Sequence, residues 1–259
     1  MSDLSQVKTE SMRGRVSREE FETRVNLAAC YRLVHHFGMD DLVYNHISAR
    51  VPGEEGHFLI NAYGMTYDEI NASSLVKIDL DGKVLQDSGT GYGINQAGFV
   101  IHGAVHRALP GVHCVIHTHT VAGMAVSALE CGLLPLTQNA MFFGGVGMHD
   151  YEGVAINLDE QARLVRDLGS HRAMILRNHG LLSVGPSIAE AFTAMYWLDR
   201  ACQAQVAAMA CNARLRIPGK EVIDLTAHQY KPETRRPFGL LEWPALLKKL
   251  DRIDPSYRK

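Results

Sequence analysis

Residues Val112-His-Cys-Val-Ile-His-Thr-His119 form an apolar, β-branched run that ends in two histidines separated by one residue. Such a run reads as a strand, and alternate side chains on a strand face the same way. His117 and His119 therefore emerge on one side, close enough to share a metal ion. Two ligands do not complete a site. Function turns on whether the rest of the chain supplies a third.

At 259 residues the chain can bury one large core, and a single main domain is expected. Its hydrophobic fraction of 46%, charged fraction of 21% and net charge of −2 describe an ordinary soluble protein. No electrostatic bias toward nucleic acid or an anionic membrane results, so neither is expected as a partner. The basic stretch Arg13-Gly-Arg-Val-Ser-Arg18 reads as a solvated lead-in to a helix. The five cysteines form no C-x-x-C pair and are odd in number, so neither a cysteine-type zinc site nor a disulfide framework is indicated, which fits a reducing compartment. With no export pattern at the N-terminus and no apolar run of about 18 residues, a cytoplasmic location is expected.

Ser17 followed by Glu20 is a capping box, and Phe21, Val25, Ala28, Tyr31 and Val34 continue at helical spacing to Gly38. Short strands at 47–51, 58–60 and 75–78, separated by Pro52-Gly53, Tyr63-Gly64 and Asp81-Gly82, predict an antiparallel meander. A helix from Gln96 to Leu109 stops at Pro110-Gly111 and delivers the chain into the histidine strand. Helices are predicted over 121–130 and 159–168, and strands over 173–176 and 181–184. A long helix runs from Ser187 to about Asn212. Without strict βαβ alternation, the expected class is α/β, with helices packed on a central, mostly antiparallel sheet. Residues 1–16 read as a flexible N-terminus and 17–212 as the domain. Residues 213–259 read as an arm with a short helix at 243–250, expected to pack on a neighbouring subunit.

His179, between Asn178 and Gly180 at the end of an apolar strand, is the best candidate for a third ligand, because a turn there can aim its imidazole at a neighbouring strand. Three histidines leave a divalent metal with open positions, the arrangement of catalytic sites; zinc is expected first, then manganese or iron. The alternative is that these are polar strand ends satisfied by backbone. His102 and His106, at i and i+4 on a helix, also have a zinc-compatible spacing but no accompanying glutamate. His102 is expected to line or support the pocket and His106 to be solvated. His35 and His36 are expected to meet the carbonyls ending their helix. His149 and Tyr151, in a loop dense with proton-exchanging groups, are the candidate acids.

Three segments together resemble the class II aldolase/adducin family: Tyr44-Asn-His-Ile-Ser-Ala-Arg50, which looks like the family's G-N-x-S-x-R; Pro110 through His119; and Arg177-Asn-His-Gly180. The resemblance implies a three-layer α/β/α sandwich, a homotetramer with sites between subunits, and one divalent metal per subunit held by His117, His119 and His179. It also departs from the family. Where the sugar-phosphate aldolases carry a serine pair and a catalytic glutamate, this chain has Gln96-Ala97-Gly98, and their T-x-S-G loop is here Asn61-Ala-Tyr-Gly64. A phosphorylated sugar is therefore not the expected substrate. Asn45, Gly64 and Gln96 are the expected substrate-binding residues, with Arg50 a weaker candidate that pairs at the surface.

These expectations converge on a metal-dependent lyase. It would break a C–C bond of a small unphosphorylated oxo or hydroxy acid by retro-aldol cleavage or decarboxylation. Decarboxylation forms an enolate without first removing a substrate proton, so a missing glutamate damages it less. A non-catalytic, adducin-like interaction module and an iron-dependent oxygenase are the alternatives.

Overall fold

The computed structural model describes residues 11–89, 91, 93–154 and 157–259. In chain order it contains α1 (Arg18–His36), β1 (His46–Arg50), β2 (His57–Asn61), β3 (Leu75–Asp79), β4 (Val84–Gln86), α2 (Gln96–Ala108), β5 (Cys114–Thr118) and α3 (Val121–Ser127). There follow α4 (Gln138–Met141), β6 (Gly147–His149), α5 (Gln161–Leu168), β7 (Ala173–Leu176), β8 (Gly180–Gly185), α6 (Ile188–Ala210), α7 (Lys220–Gln229) and α8 (Glu242–Ile253).

The strands form one sheet in the order β4-β3-β2-β1-β5-β8-β7-β6, antiparallel except for the β6–β7 pair. Side-chain alternation divides its two faces. Ile47 and Ala49 of β1 and Cys114 and Ile116 of β5 pack toward α1, α6 and α8. On the other face, Val115, Met174, Leu182 and Val184 meet Ile101 and Val105 of α2 and Leu164 and Leu168 of α5. Phe58, Ile60, Val76 and Ile78 extend that layer under Phe99 and Val100. The result is helices, sheet and helices in three layers, as expected.

Ser17 caps α1 by accepting from Glu20 N at 3.1 Å. The reciprocal half of the capping box does not form. The Glu20 carboxylate instead accepts from Arg24 Nε at 2.8 Å and Lys77 Nζ at 2.7 Å. Arg24, fully buried, also donates to Leu75 O and Gln86 Oε1, tying α1 to β3 and β4.

The C-terminal segment returns to its own chain rather than extending away from it. Trp243 Nε1 donates to Asn26 Oδ1 at 2.7 Å, and Tyr257 is fully buried. The backbone of the last turn accepts from Ala72 N and Ser73 N at 3.0 and 2.9 Å. Within the expected arm, α7 is helical with no buried residue. Among the described residues no helix is long and apolar enough to cross a membrane.

Candidate metal centre

β5 places His117 on the α2 side of the sheet, opposite His46 of β1 in the strand register. His119 follows the strand, immediately before Thr120, whose hydroxyl caps α3 by accepting from Gly123 N. His179 sits in the three-residue hairpin between paired Leu176 and Gly180, where Asn178 takes φ 54°. Gly180 is needed there because a side chain would collide with the Thr118 carbonyl of β5. The hairpin can therefore bring His179 against the end of the histidine strand.

The three Nε2 atoms converge: His117 to His119 is 2.8 Å, His119 to His179 is 3.0 Å and His117 to His179 is 3.2 Å. Nitrogens about 2.1 Å from one ion stand roughly 3.0 Å apart at right angles and about 3.4 Å apart on a tetrahedron. The observed spacing of 2.8–3.2 Å lets all three nitrogens reach one ion. The opposite ring nitrogens fix the tautomers. His117 Nδ1 donates to Leu181 O at 2.9 Å, and His119 Nδ1 faces the Asp41 carboxylate at 3.1 Å. At least two Nε2 lone pairs thus meet with no proton between them, an arrangement that a shared cation satisfies. Burial first, then the neighbouring imidazoles, hold His117 well below its ordinary pKa and bring His179 down to about 4, which keeps both neutral and ready to ligate.

The three histidines line a cavity of about 460 Å³ together with Asp41, His46, Tyr63, Asn95 and Tyr151. Tyr151, 53% exposed, stands at its mouth with its ring centroid 6.4 Å from that of His179. His149 is placed differently. It is buried outside this cavity, with Nδ1 2.8 Å from Asp167 and Nε2 3.1 Å from Glu160. Its carbonyl accepts from Arg177 N at 2.8 Å and so steadies the hairpin that carries His179.

Asn45 is fully buried and does not border the cavity; neither amide atom has a partner among the described residues. His46 takes the cavity-facing position. The family pattern puts its asparagine two residues before the serine, and counting back from Ser48 reaches His46, a frame that strand alternation supports. In the next loop Tyr63, not Gly64, lines the cavity. The Gln96 side chain lies outside the described residues.

Behind His46 runs a row of polar groups that the sequence did not connect. His46 Nδ1 meets His102 Nε2 at 3.0 Å, His102 Nδ1 meets Ser48 Oγ at 2.6 Å, and Ser48 Oγ meets His106 Nε2 at 2.8 Å. His102 supports the pocket as expected. His106 is not solvated but 2% exposed, because α2 lies flat on the sheet and turns both histidines inward. Arg50 does not pair at the surface; its guanidinium donates to Val112 O, His106 O and Leu109 O, capping the end of α2. His35 pairs with Asp40 at 2.8 Å.

Comparison with known proteins agrees with this architecture. The profile of the Class II Aldolase and Adducin N-terminal domain matches residues 25–206. A Caulobacter vibrioides protein whose name assigns it only provisionally to the class 2 aldolases is 48% identical over 257 residues, covering 96% of each chain. Mouse alpha-adducin is 41% identical over 251 residues, which span 89% of this chain and 33% of that longer protein. The L-fuculose 1-phosphate aldolase of Glaciozyma antarctica superposes with a TM-score of 0.82 at 25% identity, covering 99% of this chain and 98% of that one. The fold is that of the class II aldolases. The chain belongs to the class II aldolase/adducin family.

Proposed function

We propose that this protein is a divalent-metal-dependent lyase acting on a small unphosphorylated oxo or hydroxy acid. The convergence of three Nε2 atoms, two of them fixed as lone-pair donors by Leu181 O and Asp41, carries this reading. His117, His119 and His179 would hold the ion, with zinc the first choice and manganese or iron the alternatives. The ion, when bound, supplies Lewis acidity for negative charge on a substrate oxygen as the C–C bond breaks. Tyr151 carries a phenolic proton for the carbon left behind. His149, held between Asp167 and Glu160, keeps the Tyr151 loop and the His179 hairpin in place. Glycine at position 98 removes the glutamate expected of a sugar-phosphate aldolase, so cleavage by decarboxylation fits this site better than one that begins with proton removal.

Leu42, Tyr44, Val121 and Val154 are exposed apolar residues, and Tyr44 and Val154 line the cavity. They support a homotetramer with sites between subunits, and the five free thiols suit a reducing cytoplasm. A second reading, a non-catalytic interaction module, draws on the 41% identity to alpha-adducin. Incubating the metal-loaded protein with unphosphorylated oxo and hydroxy acids separates the two. The lyase reading expects CO₂ or aldehyde release that His117→Ala abolishes; release of neither product across the panel favours the adducin-like module.

A further inference from the structure

Position 98 is a glycine packed against an imidazole. A Cβ built on Gly98 would lie 2.5 Å from His46 Cδ2 and 2.8 Å from His46 Nε2. Real Cβ contacts do not come this close, so the His46 ring already occupies the space into which any residue 98 side chain would start. That ring also stacks on His117, with centroids 5.1 Å apart and planes at 29°, and it borders the cavity. Its Nε2 has no hydrogen-bond partner among the described residues.

The row behind His46 sets which of its nitrogens carries the proton. His106 Nδ1, at the far end, is buried without a hydrogen-bond partner among the described residues. The Val112 carbonyl accepts from Arg50 Nε at 2.8 Å, and no hydrogen bond joins it to His106 Nδ1. An unpaired lone pair is tolerated inside a protein more readily than an orphaned N–H. His106 therefore carries its proton on Nε2 and donates to Ser48 Oγ, and the Ser48 hydroxyl donates to His102 Nδ1. His102 Nε2–H then donates to His46 Nδ1, which leaves His46 as the Nε2–H tautomer.

We infer that His46, filling the space where a residue 98 side chain would start, presents a neutral N–H donor to the cavity, and that this donor holds the carboxylate of an acid substrate beside the metal-ligating histidines. The inference rests on the proposed lyase reading and specifies its substrate class. A carboxylate at position 98 would repel an anionic substrate in a confined cavity, whereas an imidazole N–H attracts one. His46 contacts the substrate; His102, Ser48 and His106 are positioning residues that fix its tautomer. No change of charge on any of the four is needed.

The test uses zinc-loaded protein with two probes of similar size, pyruvate and hydroxyacetone, which has no carboxylate. Calorimetry is expected to show pyruvate binding at least tenfold tighter to wild type than to His46→Phe. Zinc content and hydroxyacetone affinity should stay the same. Ser48→Ala, which breaks the row without touching the cavity, should weaken pyruvate binding by a smaller factor. Long-range ¹H–¹⁵N correlation of wild-type histidines needs no variant and should show His46 protonated on Nε2. Unchanged pyruvate affinity in a zinc-loaded His46→Phe, or a His46 protonated on Nδ1, overturns this inference and leaves the lyase reading intact. Wild type that binds zinc but not pyruvate overturns this inference, and wild type that binds no zinc overturns both.

Discussion

His106 shows what a buried imidazole does to stability. Burial first, then the Arg50 guanidinium and His113, bring its pKa from 6.5 down to about 3, so the folded state holds it neutral. The unfolded chain protonates it near its ordinary value, so between those limits the unfolded state binds more protons. Its stabilising contribution is complete above about pH 6.5 and is lost as pH falls toward 3. A tenfold difference in proton affinity is worth about 1.4 kcal/mol, so the loss at this one residue reaches roughly 3 kcal/mol by pH 4. Urea unfolding at a series of pH values should show this decline, shared with the other buried histidines, and His106→Gln should make it less steep; a parallel slope in the variant would contradict the assignment. The inward turn of His106 was not legible because an i, i+4 histidine pair looks the same whether its helix face meets solvent or a sheet. The three convergent histidines were legible because H-x-H and N-H-G each tie a ligand to a local geometry. His46 was missed through a frame one residue out, which on a strand exchanges the two faces.

Among the elements, α1 was readable from its cap and spacing to within two residues at each end, yet the role of Glu20 was not. Its carboxylate serves Arg24 and Lys77 rather than its own helix cap, and partners at that distance leave no trace in a four-residue motif. Removing one member of a buried ion pair strands the other, at a cost of about 3–5 kcal/mol. Glu20→Ala should lose that much stability in denaturant unfolding, and a loss below about 1 kcal/mol would show that the carbonyls around Arg24 suffice alone. The elements missed were short or lacked a buried stripe. β4 and β6 have three residues each, and α7 leaves Val222 and Leu225 exposed, so no core-facing pattern marks it.

Across the whole molecule, the antiparallel meander followed from alternating apolar runs and the three-layer plan from the family resemblance, but the destination of the C-terminus followed from neither. An extended, proline-bearing segment reads the same whether it clasps a neighbour or its own first helix. Here Trp243 and Tyr257 pin it to α1, and Arg32 reaches Asp254 and Ser256. Truncating a buried aromatic costs about 3–5 kcal/mol. Tyr257→Ala should lower stability by that amount while leaving metal content unchanged, because Tyr257 does not line the metal cavity. Metal loss in a folded Tyr257→Ala protein would mean that the tail governs the site. The central claim, that three histidines from one strand end and one hairpin form a metal site, is tested most directly by metal stoichiometry. Elemental analysis of purified protein reloaded with zinc and freed of excess should give one ion per chain. His117→Ala, His119→Ala and His179→Ala should each abolish it. Wild type without stoichiometric metal, or folded variants that keep it, would contradict the account.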